Sequence, residues 1–129
     1  MGNAAFFIAV VDDEPSVRTM LRRVLRLADY SAQTWASGEE FLASISAEFP
    51  ACVILDVHLP ELDGFEVLAR LRAAQVSVPV ILMTASDEVE FDRRAIAAGA
   101  FRLLRKPFSS HELTEAIASA LAAGGKAAA

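Results

Sequence analysis

Five short runs rich in β-branched and large apolar residues alternate along this chain with five amphipathic stretches, and nothing else in it restricts the fold so tightly. The candidate strands are residues 6–11, 32–35, 52–55, 80–83 and 101–104. Three are unbroken apolar runs, as expected of strands covered on both faces. Val17, Met20, Leu21, Val24 and Leu25 recur at i, i+3, i+4, i+7 and i+8, which predicts a helix from about Glu14. Asp13 is its candidate cap and Pro15 fits its first turn. Ser37-Gly38-Glu39-Glu40, Asp63-Gly64-Phe65-Glu66 and Ser109-Ser110-His111-Glu112 read as capping boxes that open three more helices. A further helix is expected to start near Asp87 and to stop at a left-handed Gly99. Leu113, Ile117 and Leu121 form the core stripe of the last helix.

Strand followed by helix, five times over, is a (βα)5 pattern. Crossovers between parallel strands are right-handed, so the helices cover both faces of one parallel sheet. The fold class is therefore α/β, a doubly wound, flavodoxin-like three-layer sandwich; the small fold of this kind has strand order 2-1-3-4-5, which is taken as the expected order here. In such sheets ligands bind beyond the carboxyl ends of the strands, where the strand order reverses. The 129 residues suit one domain, and a 54% hydrophobic fraction supports a core. Residues 1–123 read as that domain. Residues 124–129, opening on Gly124-Gly125, read as a disordered tail or the start of a linker.

The strand ends carry the chemistry. Strand one ends in Asp12-Asp13, strand three in Asp56, strand four in Thr84 and strand five in Lys106-Pro107. Strand two, an edge strand in this order, ends without a charged group. A strand-terminal Asp alone is commonly a helix cap; polar groups on four adjacent strands at one rim are not explained that way. Three carboxylates drawn together repel, each pair at ~4 Å costing roughly 4 kcal/mol at an effective dielectric near 20. A hard divalent cation relieves that cost. Mg²⁺ accepts one or two carboxylates together with a phosphate, which suits Asp12, Asp13 and Asp56 better than zinc or copper would. Lys106 supplies a second cation and Thr84 a short hydroxyl donor, so the set reads as a clamp for a phosphoryl group. Asp56 is the candidate nucleophile, because carboxylates form acyl phosphates.

Other classes are disfavoured. A net charge of −5 argues against direct nucleic-acid binding, which needs a basic face. The one cysteine, Cys52, excludes an internal disulfide and a cysteine zinc cluster, and its apolar neighbours mark it as a buried thiol. No stretch approaches ~20 apolar residues, so no membrane span is expected. The first residues lack the basic start of a signal peptide, and a cytoplasmic location is expected.

Taken together, Val10-Val11-Asp12-Asp13-Glu14-Pro15, Leu55-Asp56-Val57-His58-Leu59-Pro60-Glu61-Leu62-Asp63-Gly64, Thr84-Ala85, Gly99-Ala100 and Lys106-Pro107-Phe108 resemble the receiver domains of two-component response regulators, over about residues 6–121. The resemblance implies that Asp56 is phosphorylated and that Asp13 and Asp56 bind Mg²⁺ directly. Asp12 would bind it directly or through water, and the His58 carbonyl would complete the protein ligands. Thr84 and Lys106 would contact the phosphoryl oxygens, and the Lys106-Pro107 peptide would be cis. The implied donor is a sensor histidine kinase or phosphotransfer protein. A homodimer and a downstream output domain are left open as partners. The chain would be no conventional enzyme, catalysing only its own phosphotransfer and slow autodephosphorylation, and switching the surface around strands four and five and helices four and five.

The sequence departs from the family at one point: Leu103 stands where a Tyr or Phe is usual. In the usual switch the threonine moves toward the phosphoryl group and the aromatic ring turns in behind it. Coupling to strand five is therefore expected to be weaker here. His58 and Ser86, each two residues beyond a site residue, are expected near the mouth of the site, and His111 on the surface. Two alternatives stand beside the main reading. One is a degenerate receiver acting as a phosphorylation-independent interaction platform, against which the complete Asp12, Asp13, Asp56, Thr84, Lys106 set argues. The other is an aspartate-nucleophile phosphohydrolase, which would place its nucleophile on strand one and need a cap insertion.

Overall fold

The computed structural model describes residues 6–46 and 48–128. Its elements run β1 (Ile8–Val11), α1 (Pro15–Leu27), β2 (Ala32–Trp35), α2 (Gly38–Ser44), β3 (Cys52–Asp56), α3 (Gly64–Ala73), β4 (Val80–Thr84), α4 (Glu90–Ala98), β5 (Arg102–Arg105) and α5 (Ser110–Ala128). The five strands form one parallel sheet in the order β2-β1-β3-β4-β5, the order expected of the small doubly wound fold. Two side-chain clusters cover it. Ile8, Val10, Cys52, Ile54, Ile81 and Met83 pack against Leu21 and Leu25 of α1 and Leu113 and Ile117 of α5. Ala9, Val11, Val53, Leu55, Val80 and Leu82 pack against Phe41 of α2, Val67, Leu68 and Leu71 of α3, and Ala95 of α4. Side chains of a strand alternate between faces, so one run of consecutive apolar residues feeds both clusters. The sheet strands β1, β3 and β4 are buried along their whole length.

Several ends differ from the sequence reading. The ladder runs on through the pairs Asp56↔Met83 and Thr84↔Arg105, so β3 and β4 reach one residue beyond the apolar runs 52–55 and 80–83 and end on these site residues. Asp13 does not cap α1. The cap position is Glu14, without a side-chain bond, and the Glu14 N–H is taken by Asp12 Oδ1 at 2.9 Å. α4 starts three residues later than expected, at Glu90; the Ser86 carbonyl before it accepts from Arg105, and the Glu88 carbonyl from both Arg105 and Phe91 N–H. The Asp63 and Ser109 boxes are reciprocal, whereas Ser37 accepts only from Glu40 N–H. Gly99 is left-handed at φ 88°, as expected, and Asp29 and Gln75 end α1 and α3 in the same conformation. α5 is described through Gly124 and Gly125 to Ala128. Alanines, the best helix formers, lie on both sides of that glycine pair. Ala129 lies outside the described residues. Among the described residues no helix is long and apolar enough to cross a membrane.

Candidate functional site

Parity along the strands sorts the rim before any side chain is placed. Asp12 continues the alternation of Ile8 and Val10, Asp56 that of Cys52 and Ile54, and Lys106 that of Arg102 and Leu104. All three therefore belong to the α1/α5 side of the sheet. Thr84 continues Val80 and Leu82, and Arg105 continues Leu103, on the side of α3 and α4.

On the first side the structure brings four charged groups together. Asp12, Asp13 and Asp56 each offer a carboxylate oxygen within 4.8 Å of the others. Lys106 Nζ lies 3.2 Å from Asp12 Oδ2 and 3.5 Å from Asp56 Oδ2. Asp12 is fully buried and Asp56 is 4% exposed, whereas Asp13 is open to solvent. The backbone orients both buried carboxylates: Glu14 N–H donates to Asp12 Oδ1 and His58 N–H donates to Asp56 Oδ1 at 3.1 Å. α3 presses on this strand end. Gly64 N–H donates to the Val57 carbonyl at 2.9 Å, and a Cβ at Gly64 would stand 2.5 Å from the Asp56 carbonyl oxygen. Only glycine allows the helix so near the residue that carries the central carboxylate. The Lys106-Pro107 peptide is cis.

Electrostatics mark this cluster as incomplete by itself. Burial pushes the Asp56 carboxyl above its ordinary value, and the neighbouring Asp12 charge raises it further, against the His58 N–H bond and Lys106. Burial works the other way on the Lys106 ammonium, but Asp56 and Asp12 outweigh it and hold the amine above its usual value. Three carboxylates against one ammonium leave two negative charges in a largely buried space. A divalent cation with oxygen preference fits that donor set in charge, in ligand type and in having one open carboxylate at the rim. Asp12, Asp13 and Asp56 are the residues placed to hold it.

The second side of the rim holds Thr84. Its buried hydroxyl accepts from Ser86 N–H at 3.0 Å and lies 2.8 Å from His58 Nε2. The His58 ring lies 5.7 Å from that of Phe91 on α4, and Phe91 meets Phe65 edge-on, whose face carries the Arg94 guanidinium at 4.0 Å. These side chains, with Asp13 and Asp63, border a cleft of about 450 Å³ that opens beside the carboxylates. His58 thus borders the mouth, Ser86 is not among the residues that line the cleft but bonds through its backbone to Thr84 and Arg105, and His111 is exposed.

Sequence reasoning missed Arg105. Its guanidinium donates to the Ser86 carbonyl at 3.1 Å, to the Glu88 carbonyl at 2.6 Å and to Asp92 Oδ1 at 3.1 Å. It stands opposite Thr84 in the ladder and straps the loop that follows it. Leu103, two residues earlier, is half-buried against the α3/α4-side cluster. The usable signal was parity: a cation on the face of Leu103, level with a loop rich in carbonyls and acids.

Comparison with known proteins agrees with this architecture. The family described as the response regulator receiver domain matches residues 8–118. The alkaline phosphatase synthesis transcriptional regulatory protein PhoP of Bacillus subtilis is 40% identical over 115 residues, which cover 88% of this chain and 48% of that protein. The response regulator MprA of Mycolicibacterium vanbaalenii is 42% identical over 106 residues, 82% of this chain and 46% of that protein. The chain thus spans about half the length of the curated relatives it matches. Among solved structures, a CheY-like receiver domain protein from Methanospirillum hungatei superposes with a TM-score of 0.86 at 27% identity, covering 92% of this chain and 95% of the other. A putative response regulator from Chloroflexus aurantiacus gives 0.84 at 36% identity, covering 90% and 97%.

Proposed function

The chain belongs to the response regulator receiver family of two-component systems, and from that membership we propose that it accepts a phosphoryl group on Asp56 from a sensor histidine kinase or phosphotransfer protein, with Mg²⁺ as cofactor. The observation that carries the reading is the convergence of Asp12, Asp13 and Asp56 within 4.8 Å, closed on one side by Lys106. An Asp56 carboxylate oxygen attacks phosphorus as the donor's P–N bond breaks. The bonding pair stays on the imidazole nitrogen, and the product is an acyl phosphate. Bound Mg²⁺ supplies Lewis-acid stabilisation of the phosphoryl oxygens. Asp13, Asp56 and the His58 carbonyl would hold it, with Asp12 taking part directly or through water. Lys106 exchanges a carboxylate partner for a phosphoryl oxygen, and Thr84 donates its hydroxyl to another. The added charge of roughly −1.5 to −2 draws Thr84 and the β4–α4 loop toward the site, which changes the surface formed by β4, α4, β5 and α5. The family is not one of conventional enzymes, and self-catalysed phosphotransfer and slow autodephosphorylation belong to this proposal. A homodimer or an attached output domain reads that surface.

Radiolabelled acetyl phosphate with Mg²⁺ tests the reading. One equivalent of label, lost with EDTA or in Asp56→Asn, is the expected result. Turnover of many equivalents would indicate a phosphohydrolase. No label from acetyl phosphate or from a phosphorylated kinase would leave an interaction platform.

A further inference from the structure

The Thr84 hydroxyl is fully engaged in this structure, and one of its two partners is a side chain that the phosphotransfer does not use. Ser86 N–H donates into Oγ1 at 3.0 Å. The hydroxyl's own hydrogen then needs an acceptor, because Thr84 is completely buried. Among the described residues the acceptor within reach is His58 Nε2, at 2.8 Å. The hydrogen-bond network thereby assigns the imidazole tautomer: Nδ1 carries the hydrogen and Nε2 accepts. The ring is held in that pose by Phe91, 5.7 Å away on α4. Parity reinforces the geometry, since Thr84 belongs to the face away from the carboxylates.

We propose that His58 is a positioning residue that restrains the switch: its imidazole holds the Thr84 hydroxyl in the unphosphorylated arrangement, and that bond must break before Thr84 can donate to a phosphoryl oxygen. The proposal rests on the phosphoacceptor reading above. A threonine hydroxyl has one hydrogen to give. Given to His58, it is withheld from the site; given to the phosphoryl group, it frees His58 and with it the ring contact to α4. His58 thus sets the resting balance of the switch and passes the release of Thr84 on to α4, a route that does not require an aromatic residue at Leu103. A neutral hydrogen bond is worth about 1 kcal/mol net, so loss of the acceptor shifts the balance toward the activated form by about fivefold.

The test uses beryllofluoride with Mg²⁺ as the phosphoryl mimic. Affinity is measured by calorimetry for the wild type, His58→Phe, His58→Ala and His58→Gln. Phenylalanine keeps a ring against Phe91 without an acceptor, alanine removes both, and glutamine keeps an acceptor of similar reach. Phenylalanine and alanine variants are expected to bind the mimic three- to fivefold more tightly, and glutamine to restore the wild-type value. In a Thr84→Ala background the same changes should have no effect. A second readout needs no phosphoryl mimic: the Ser86 amide resonance of the metal-free protein should move in His58→Phe and His58→Ala and return in His58→Gln. Unchanged or weaker mimic binding in both acceptor-less variants, or an effect that persists without the Thr84 hydroxyl, overturns the proposal. A wild type that shows the Ser86 signature yet binds no beryllofluoride overturns the phosphoacceptor reading instead, and with it any switch for His58 to restrain.

Discussion

Asp56→Asn is expected to stabilise the metal-free protein, although it removes one of the two carboxylates paired with Lys106. At an effective dielectric near 20, repulsion from Asp12 across at most 4.8 Å costs about 3.5 kcal/mol or more. Attraction to Lys106 at 3.5 Å returns about 5 kcal/mol on the same scale. The difference is small, and the cost of burying an ion, several kcal/mol after relaxation, decides the sign. Asparagine keeps an oxygen for the His58 N–H, and Lys106 keeps Asp12 at 3.2 Å. The expected gain is about 1–3 kcal/mol at pH 7.5. Its pH dependence follows from the raised Asp56 carboxyl, for which burial is the first cause and Asp12 the second. Below the ordinary carboxylate value both the folded and the unfolded chain are protonated there and the wild type bears no cost. The cost enters as pH rises from that ordinary value to the raised one, and is complete above it. Lys106 does not confuse the comparison: its raised value leaves its contribution intact below the usual lysine range. Urea unfolding in EDTA at pH 7.5 and at pH 5 reads the difference, and a repeat with Mg²⁺ should stabilise the wild type more than the variant. A variant no more stable than the wild type at pH 7.5, or an advantage that grows on acidification, refutes the reasoning.

Gly64→Ala places a methyl group 2.5 Å from the Asp56 carbonyl oxygen and 2.8 Å from Val57 Cα, backbone that has nowhere to go; a loss of about 1–3 kcal/mol by urea unfolding, with weaker Mg²⁺ binding by calorimetry, is expected, and unchanged stability would contradict the steric account. Arg105→Ala removes three bonds to the loop and start of α4. Because the guanidinium is partly exposed, global stability should fall by less than about 1 kcal/mol, while amide hydrogen exchange across residues 86–92 should speed up about tenfold; protection unchanged in that segment would deny Arg105 its role as a strap. Burial pushes the Cys52 thiol up to about 12, so a disulfide reagent at pH 8 should leave the folded protein unmodified and react fully once the chain is unfolded; rapid labelling of the native protein would show that β3 opens.

What could be read from the residues divides by range. The alternation of strands and helices and the strand-end positions of Asp12, Asp56, Thr84 and Lys106 follow from periodicity and from where each apolar run stops, both local signals, whereas the strand order is that of the small doubly wound fold and no local signal encodes it. Element ends were less accurate where a side chain from elsewhere competes for the backbone. α4 begins at Glu90 rather than near Asp87, after a loop in which Arg105, from the next strand, bonds the Ser86 and Glu88 carbonyls, a contact that no local pattern announces. The α1 cap position is Glu14 rather than Asp13, and it carries no side-chain cap bond, while Asp12 of the site takes the Glu14 N–H. The bond between His58 and Thr84 spans 26 residues, and no propensity or motif of either segment encodes it.

Parity nonetheless accounts for how the pieces must work together. The alternation of each strand sends Asp12, Asp56 and Lys106 to the α1/α5 side and Thr84, Leu103 and Arg105 to the α3/α4 side. The charge cluster is closed by its own ion pairs on one side. The Thr84 hydroxyl is occupied by His58 and Ser86 on the other. No hydrogen bond between side chains of the two sets is present among the described residues. On the proposed reaction, a phosphoryl group at the tip of Asp56 is the object that needs donors from both sides at once, Lys106 from one and Thr84 from the other. On that proposal the sheet keeps the two sets apart at rest, and phosphorylation joins them. His58 and Arg105, both bonded to Thr84 or to the loop behind it, lie on the face where that joining is felt.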